Sequence, residues 1–168
     1  TLFRSLDEDN HELPLGGAAL KALAKINTTK LDPRLKDTEI IIASDVINPL
    51  IGPKGASVVF GPQKGATPLM VEELDQALAH YAAVIERDLE IKIKEQPGAG
   101  AAGGLGAGLL VFTGAKMHSG IDLVIELTDL EEKIAHADYV FTGEGGMDFQ
   151  TKFGKTPYGV AKIAKKYN

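Results

Sequence analysis

The sequence predicts an α/β fold, and three observations carry the prediction. An unalternated apolar run, Ile40 to Ala43, has strand length and stops at Asp45. Such a run suits a strand covered on both faces. A second run, Tyr139-Val140-Phe141, is followed by Thr142-Gly143 in the same manner. Between them lies a long amphipathic helix, so strand and helix signals alternate along the chain.

From the start, Leu2, Phe3 and Leu6 read as the tail of an element, and Asp7-Glu8-Asp9-Asn10 as turn chemistry. Gly16 to Ile26 carries Leu20, Leu23 and Ala24 at helical spacing, and Asp32-Pro33 marks a turn. Asn48 to Pro68 is dense in Gly and Pro, with Ala56 to Phe60 as a short strand inside it. Compact domains favour short connections, so a stretch of this length points to function. Thr67-Pro68 then opens the clearest helix. Thr67 is placed to cap it and Pro68 to occupy its first position. Its apolar stripe is Leu74, Leu78, Tyr81, Ile85 and Leu89. Leu89 to Lys94 is a weak strand candidate. Pro97 to Gly108 is a glycine-rich tract, continued by a small-residue helix over Leu109 to Phe112. Ile121 to Leu127 reads as a strand, Leu130 to Ala137 as a short helix and Gly159 to Tyr167 as a final helix. That helix has no strand after it to cover its apolar face, and the first residues have no start signal. Both features suggest a piece of a larger protein.

Composition narrows the function classes. The 168 residues hold 18 basic and 23 acidic side chains, four His, and neither Cys nor Trp, with 44% hydrophobic and 24% charged residues. This is the composition of a chain that buries a core. Without cysteine there are no disulfides, zinc ribbons, Fe–S clusters or thiol nucleophiles. No apolar run approaches the roughly 18 residues of a membrane helix, and no signal peptide opens the chain, so a cytoplasmic location is expected. The net charge of −5 argues against nucleic acid as a partner.

Several loops carry candidate chemistry. Gly98-Ala99-Gly100-Ala101-Ala102-Gly103 fits G-x-G-x-x-G. It reads either as a turn admitting a phosphate to backbone N–H groups, with a dinucleotide-binding dehydrogenase as one version, or as close helix packing on Gly and Ala. Phe153-Gly154-Lys155-Thr156 ends like a Walker A motif but lacks its opening glycine, so it is not a P-loop. The loop Thr142 to Asp148, with Gln150, Thr151 and Lys155 beyond it, follows a strand and so would lie at a ligand-binding sheet edge. Asp45 at a strand end suits Mg²⁺ or a hydroxyl proton, or else an Asx-turn into Asn48-Pro49. Lys54 and Lys64 are anion-holding or simply solvated. The four His show no metal spacing, and no serine sits in an esterase elbow.

Four blocks in order carry a resemblance. They are Ser44 to Ala56, Phe60 to Pro68, Pro97 to Gly104, and Thr142 to Asp148 with Gln150, Thr151, Gly154 and Lys155. Together they resemble the bacterial glycerate kinase family over nearly the whole chain. The resemblance implies transfer of the γ-phosphoryl group of ATP, with Mg²⁺, to D-glycerate, giving 2-phosphoglycerate rather than 3-phosphoglycerate. It implies an incomplete piece of a two-domain α/β fold. Residues 1–136 would form most of an inserted α/β domain, and residues 137–168 one strand–loop–helix unit of a flavodoxin-like domain. Asp45, Asp148, Glu144 and Lys64 would be catalytic, with Asp45 and Asp148 as Mg²⁺ ligands. Asn48, Gly98, Gly100, Gly103, Gly104, Gly143, Gly145, Gln150, Thr151 and Lys155 would bind substrate or nucleotide. The family's N-terminal strand, its Asp-Ser-Phe-Lys-Gly segment, a second glycine-rich segment and its closing strands have no counterpart in the sequence. Gly146 stands where relatives often carry a larger, basic residue. The chain alone is therefore expected to be inactive without its missing N- and C-terminal segments, with a homodimer one option for assembly. The alternative is a non-catalytic glycerate- or nucleotide-binding module.

Overall fold

The computed structural model describes residues 3–146 and 155–167. The chain divides into two compact units. The first comprises Thr1–Ile42 and Val46–Met117, and the second Ala43–Asp45 and His118–Asn168. It is a mixed α/β structure.

The first unit is organised around α1 (Ala56–Phe60), α2 (Pro68–Leu89) and α3 (Leu105–Thr113), with an antiparallel pair β1 (Arg4–Leu6) and β2 (Lys25–Asn27). Helix α2 starts as its sequence dictates. The Thr67 hydroxyl accepts from the Met70 N–H, Pro68 follows, and Glu90 in the left-handed region ends the helix. Its inward face buries Ala77, Leu78, Tyr81, Ala82, Val84 and Ile85, which join Leu23, Ile26, Leu50, Ile93 and Phe112 in one core. Its polar side chains serve the neighbouring backbone. Asp88 accepts from the Ile26 N–H at 3.0 Å, Arg87 donates to the Ala24 carbonyl, and a His80 ring nitrogen meets the Leu23 carbonyl at 2.7 Å. Asp7 and Asp32 behave as turn formers. Asp7 accepts from the N–H groups of Asp9 and His11, and Asp32 from that of Arg34.

The chain passes between the units at β3 (Ile41–Ala43) and β4 (Lys116–His118), which pair with each other. Lys116 N–H donates to Ile40 and Ser44 N–H to His118. Partner numbers rise together along both strands, which is the parallel sense. The second unit holds α4 (Gly120–Leu127), α5 (Leu130–Ala135) and α6 (Thr156–Ala164), packed through Ile121, Ile125, Ile134 and Val160.

Several elements differ from the sequence expectation, each for a local reason. Ala56 to Phe60 is a helix: five residues show no usable period, and the Ala56 N–H turns back to the Leu50 carbonyl. Ile121 to Leu127 lies in helix α4. Its two acids, Asp122 and Glu126, stand four apart, and Ile121 and Ile125 are the pair that faces inward. The Gly16 to Ile26 helix is a 3₁₀ turn (Gly17–Ala22) followed by β2, because strand pairing with β1 claims Lys25–Asn27. Leu89 to Lys94 forms no strand, and there the Lys94 carbonyl accepts from Leu50. Strand β3 is not covered on both faces, since Ile41 is 39% exposed and β4 is its ladder partner among the described residues. Tyr139-Val140-Phe141 is not a strand. No ladder partner reaches it among the described residues, and Phe141 is 91% exposed.

The Asp88 contact predicts an acid response. The Arg87 side chain and, further down, the Ile26 N–H hold the Asp88 carboxyl below its ordinary value. The folded state then binds this proton less readily than the unfolded chain. The stabilisation is whole above the ordinary carboxylate range and fades as pH falls through the lowered folded value. Asp88→Asn is expected to flatten the acid limb of stability against pH, measured by urea unfolding between pH 3 and 7; an unchanged slope would remove Asp88 from the account.

Candidate functional site

The first unit assembles a loop and a turn that interlock. Residues 48–56 bend tightly: the Asn48 side-chain amide donates to the Lys54 carbonyl at 2.8 Å, and the Gly55 N–H to the Gly52 carbonyl. Asp75, on α2, accepts from the Gly52 N–H through both carboxylate oxygens, at 3.1 and 3.2 Å. Leu50, fully buried, plugs the loop into the core. The glycine tract lies against this loop. The Gly100 N–H donates to the Asn48 carbonyl at 3.0 Å, and the Ala107 N–H returns to Ala99.

The two readings of the tract apply to different glycines. A β-carbon on Gly100 would fall on the Pro49 carbonyl, and one on Gly106 on the Gly98 carbonyl. At Gly98, with φ of 83°, it would meet the Met117 side chain. Gly100 and Gly106 are glycine because backbone packs there, and Gly98 because of its left-handed backbone and the Met117 side chain beside it. Gly103 is different: its φ is 72°, and a β-carbon would meet nothing within 4 Å. Gly104 follows at φ 101° and opens α3, whose N-terminus carries no side-chain cap. The Leu105 N–H donates to the Ala101 carbonyl and the Ala107 N–H to that of Ala99, so backbone closes much of the start of α3, and the open surface of the tract is at Gly103.

Lys64 meets Gly103 across a cavity of about 270 Å³ that is also lined by Ser57, Gly61, Leu74 and Leu78. Lys64 ends a 3₁₀ turn (Pro62–Lys64) and is exposed, while Ser57 is buried. An ammonium and a hydroxyl at the rim of an apolar cavity suit a small anion with a carbon skeleton. Ser57 and Asp75 were not legible as site residues. Ser57 follows the Gly55-Ala56 turn in a run read as strand, and Asp75 looks like a solvated residue of an amphipathic helix.

The second unit carries the remaining candidates. Asp45 is exposed, and its Oδ1 accepts from the Gly120 N–H at 2.9 Å, capping α4 from 75 residues away. A carboxylate at a helix N-terminus is held there by the unpaired N–H groups and the dipole. Gly143 and Gly145 are exposed, with open space around them. Glu144 and Lys155 form an ion pair at 3.8 Å. Asp148, Gln150 and Thr151 lie outside the described residues, as do Phe153 and Gly154. Among the described residues no group of three or more His, Asp or Glu side chains could hold a metal. Asp45 supplies one carboxylate, one oxygen of which accepts from Gly120, so the described residues by themselves do not complete a Mg²⁺ site.

The chain is an α/β structure with a tightly packed glycine turn and a cavity whose wall includes Lys64. Comparison with known proteins gives its family. The model of the glycerate kinase family matches residues 3–168. The chain is 51% identical to a glycerate kinase of Halalkalibacterium halodurans, over 98% of this chain and 43% of that protein. It is 51% identical to the glycerate 2-kinase of Escherichia coli K12, over 96% of this chain and 42% of that protein. A Salmonella typhimurium LT2 crystal structure, provisionally described as glycerate kinase 2, superposes with a TM-score of 0.90 at 51% identity, over 99% of this chain and 44% of that one. The chain belongs to the glycerate kinase family, and it spans less than half the length of these relatives.

The glycine geometry predicts an ordered pair of effects. Gly103→Ala, in open space, pays for left-handed backbone alone, about 1 kcal/mol. Gly100→Ala also pushes the Pro49 carbonyl aside, and is expected to cost at least ~2 kcal/mol more. Urea unfolding of both variants checks the order; equal costs would refute the packing role of Gly100.

Proposed function

We propose that this chain is part of a kinase that transfers the γ-phosphoryl group of ATP to D-glycerate, giving 2-phosphoglycerate. The observation that supports it most is 51% identity to a protein named glycerate 2-kinase, across nearly all of this chain. Phosphoryl transfer asks a protein for position and charge neutralisation more than for covalent chemistry.

In this reading Lys64 holds the glycerate carboxylate at the rim of the cavity it shares with Ser57 and Gly103. The cavity's apolar wall then faces the carbon skeleton. Gly103 and Gly104 let a phosphate oxygen approach the backbone, while Gly98, Gly100 and Asn48 keep that turn in shape. ATP, when bound, supplies the transferred group. Asp45 takes the proton of the attacking hydroxyl, and its bond to Gly120 fixes the direction of its free oxygen. Glu144, Asp148, Gly143, Gly145, Gln150, Thr151 and Lys155 would meet the nucleotide, and Asp45 and Asp148 would hold Mg²⁺, Asp45 doing so in place of taking the proton. The domain division at 136/137, a cytoplasmic location and a homodimer belong to the same proposal, and the chain alone is proposed to be inactive.

The test is ATP-dependent phosphorylation of D-glycerate by this chain and by the whole protein that contains it, side by side, with the product resolved by ³¹P NMR. The whole protein is expected to make 2-phosphoglycerate and the chain alone to make none. A whole protein inert toward glycerate would overturn the substrate and favour a binding module instead. Asp45→Asn keeps an acceptor for Gly120 and removes the charge. Its melting temperature should stay within a few degrees while turnover falls more than about tenfold, equivalent to ~1.4 kcal/mol of barrier; turnover within tenfold of the parent would refute its role.

A further inference from the structure

Helix α2 forms one wall of the cavity that Lys64 shares, through Met70, Leu74 and Leu78, and α1 forms another, through Ala56, Ser57 and Phe60. Asp75 follows Leu74 directly and is half-buried, but it does not line the cavity. Both of its oxygens accept from the Gly52 N–H instead, at 3.1 and 3.2 Å. Asp75 forms no ion pair among the described residues, where the Gly52 N–H is its donor. Gly52 lies in the turn that leads into α1, and short backbone bonds carry its position forward. The Gly55 N–H donates to the Gly52 carbonyl at 2.8 Å, and the Ala56 N–H, at the start of α1, to the Leu50 carbonyl at 3.1 Å. Where a β-carbon would stand, Gly52 faces open space, so no side chain of its own anchors it. Leu50 fixes the loop to the core at one point, about which the loop could still pivot. The Asp75 contact, two residues further on, removes that freedom.

We propose that Asp75 is a positioning residue for the substrate: by holding Gly52 it sets the spacing between α1, which carries Ser57, and the apolar wall of α2. The inference rests on reading this cavity as the glycerate site. Asp75 acts through Gly52 and touches neither the substrate nor the reacting atoms. A displaced wall weakens contacts made equally in the ground state and the transition state, which raises KM and leaves kcat in place.

The experiment compares the whole protein that contains this chain with its Asp75→Ala and Asp75→Asn variants. The first variant removes both acceptor oxygens, and the second restores one. In Asp75→Ala the KM for D-glycerate is expected to rise about tenfold, with kcat and the KM for ATP within about twofold of the parent. Asp75→Asn should recover most of that loss. A purely stabilising role would lower the folded fraction, and with it the apparent kcat, without moving KM. Amide hydrogen exchange, which needs no turnover, should speed up over residues 48–56 in Asp75→Ala and stay slow over the buried turns of α2. Should Asp75→Ala not fold, Asp75→Glu, which displaces the carboxylate by one methylene, takes its place with the same expectation. The proposal is overturned if the folded variant keeps the parent's KM for glycerate, if Asp75→Asn is as impaired as Asp75→Ala, or if exchange over 48–56 is unchanged. A parent inert toward glycerate refutes the kinase reading and this substrate role together, whereas an active parent with unmoved variants refutes Asp75 alone.

Discussion

Four backbone groups of neighbouring segments find their partners on side chains of α2: the Leu23 and Ala24 carbonyls and the Ile26 and Gly52 N–H groups. Unpaired backbone groups away from water are expensive, so the segments that carry them are held to the helix that satisfies them. Because α2 also buries Leu78, Tyr81 and Ile85, one element fixes both the core and the course of the loops around it. Helix α2 can do this because Thr67 and Pro68 set its start and its apolar stripe fixes its rotation. His80, Asp75, Arg87 and Asp88 then point where the neighbouring backbone runs.

The glycine tract depends on that frame. Leu50 is anchored in the core, and the loop it belongs to is tied to α2 through Asp75. Gly100 can then lie directly against the loop's carbonyls and Gly104 against Leu78 and Leu50, which leaves Gly103 in open space. Tight packing and an open position thus lie within a few residues of each other in one tract. The rigid part holds the open part in place, as a site on a loop requires.

In the second unit a single carboxylate has a similar double position. Asp45 ends β3 and caps α4, so the strand end and the helix start are joined by one hydrogen bond. A group that both closes a helix and keeps a second oxygen exposed is well placed for chemistry, because its rotamer is already chosen. The Glu144–Lys155 ion pair joins two described stretches of the second unit.

The sequence by itself determined what depends on local physics and on shared descent. Helix α2 with its cap, the turns at Asp7 and Asp32, the α/β class and the family were legible, since capping, periodicity and motif order are written in adjacent residues. Tertiary structure decided the short apolar runs. Ala56 to Phe60 and Ile121 to Leu127 suit strand or helix alike over five to seven residues; both are helices, the first starting with its Ala56 N–H turned back to the Leu50 carbonyl and the second capped by Asp45 from 75 residues away. Tyr139 to Phe141 had strand composition, but strand formation needs a neighbour and none reaches it among the described residues. The tight packing of Gly100 and Gly106, the burial of Ser57 and the bond from Gly52 to Asp75 were equally beyond the sequence. Each is set by what lies across space from the residue, and nothing in the residue's own neighbourhood along the chain records that.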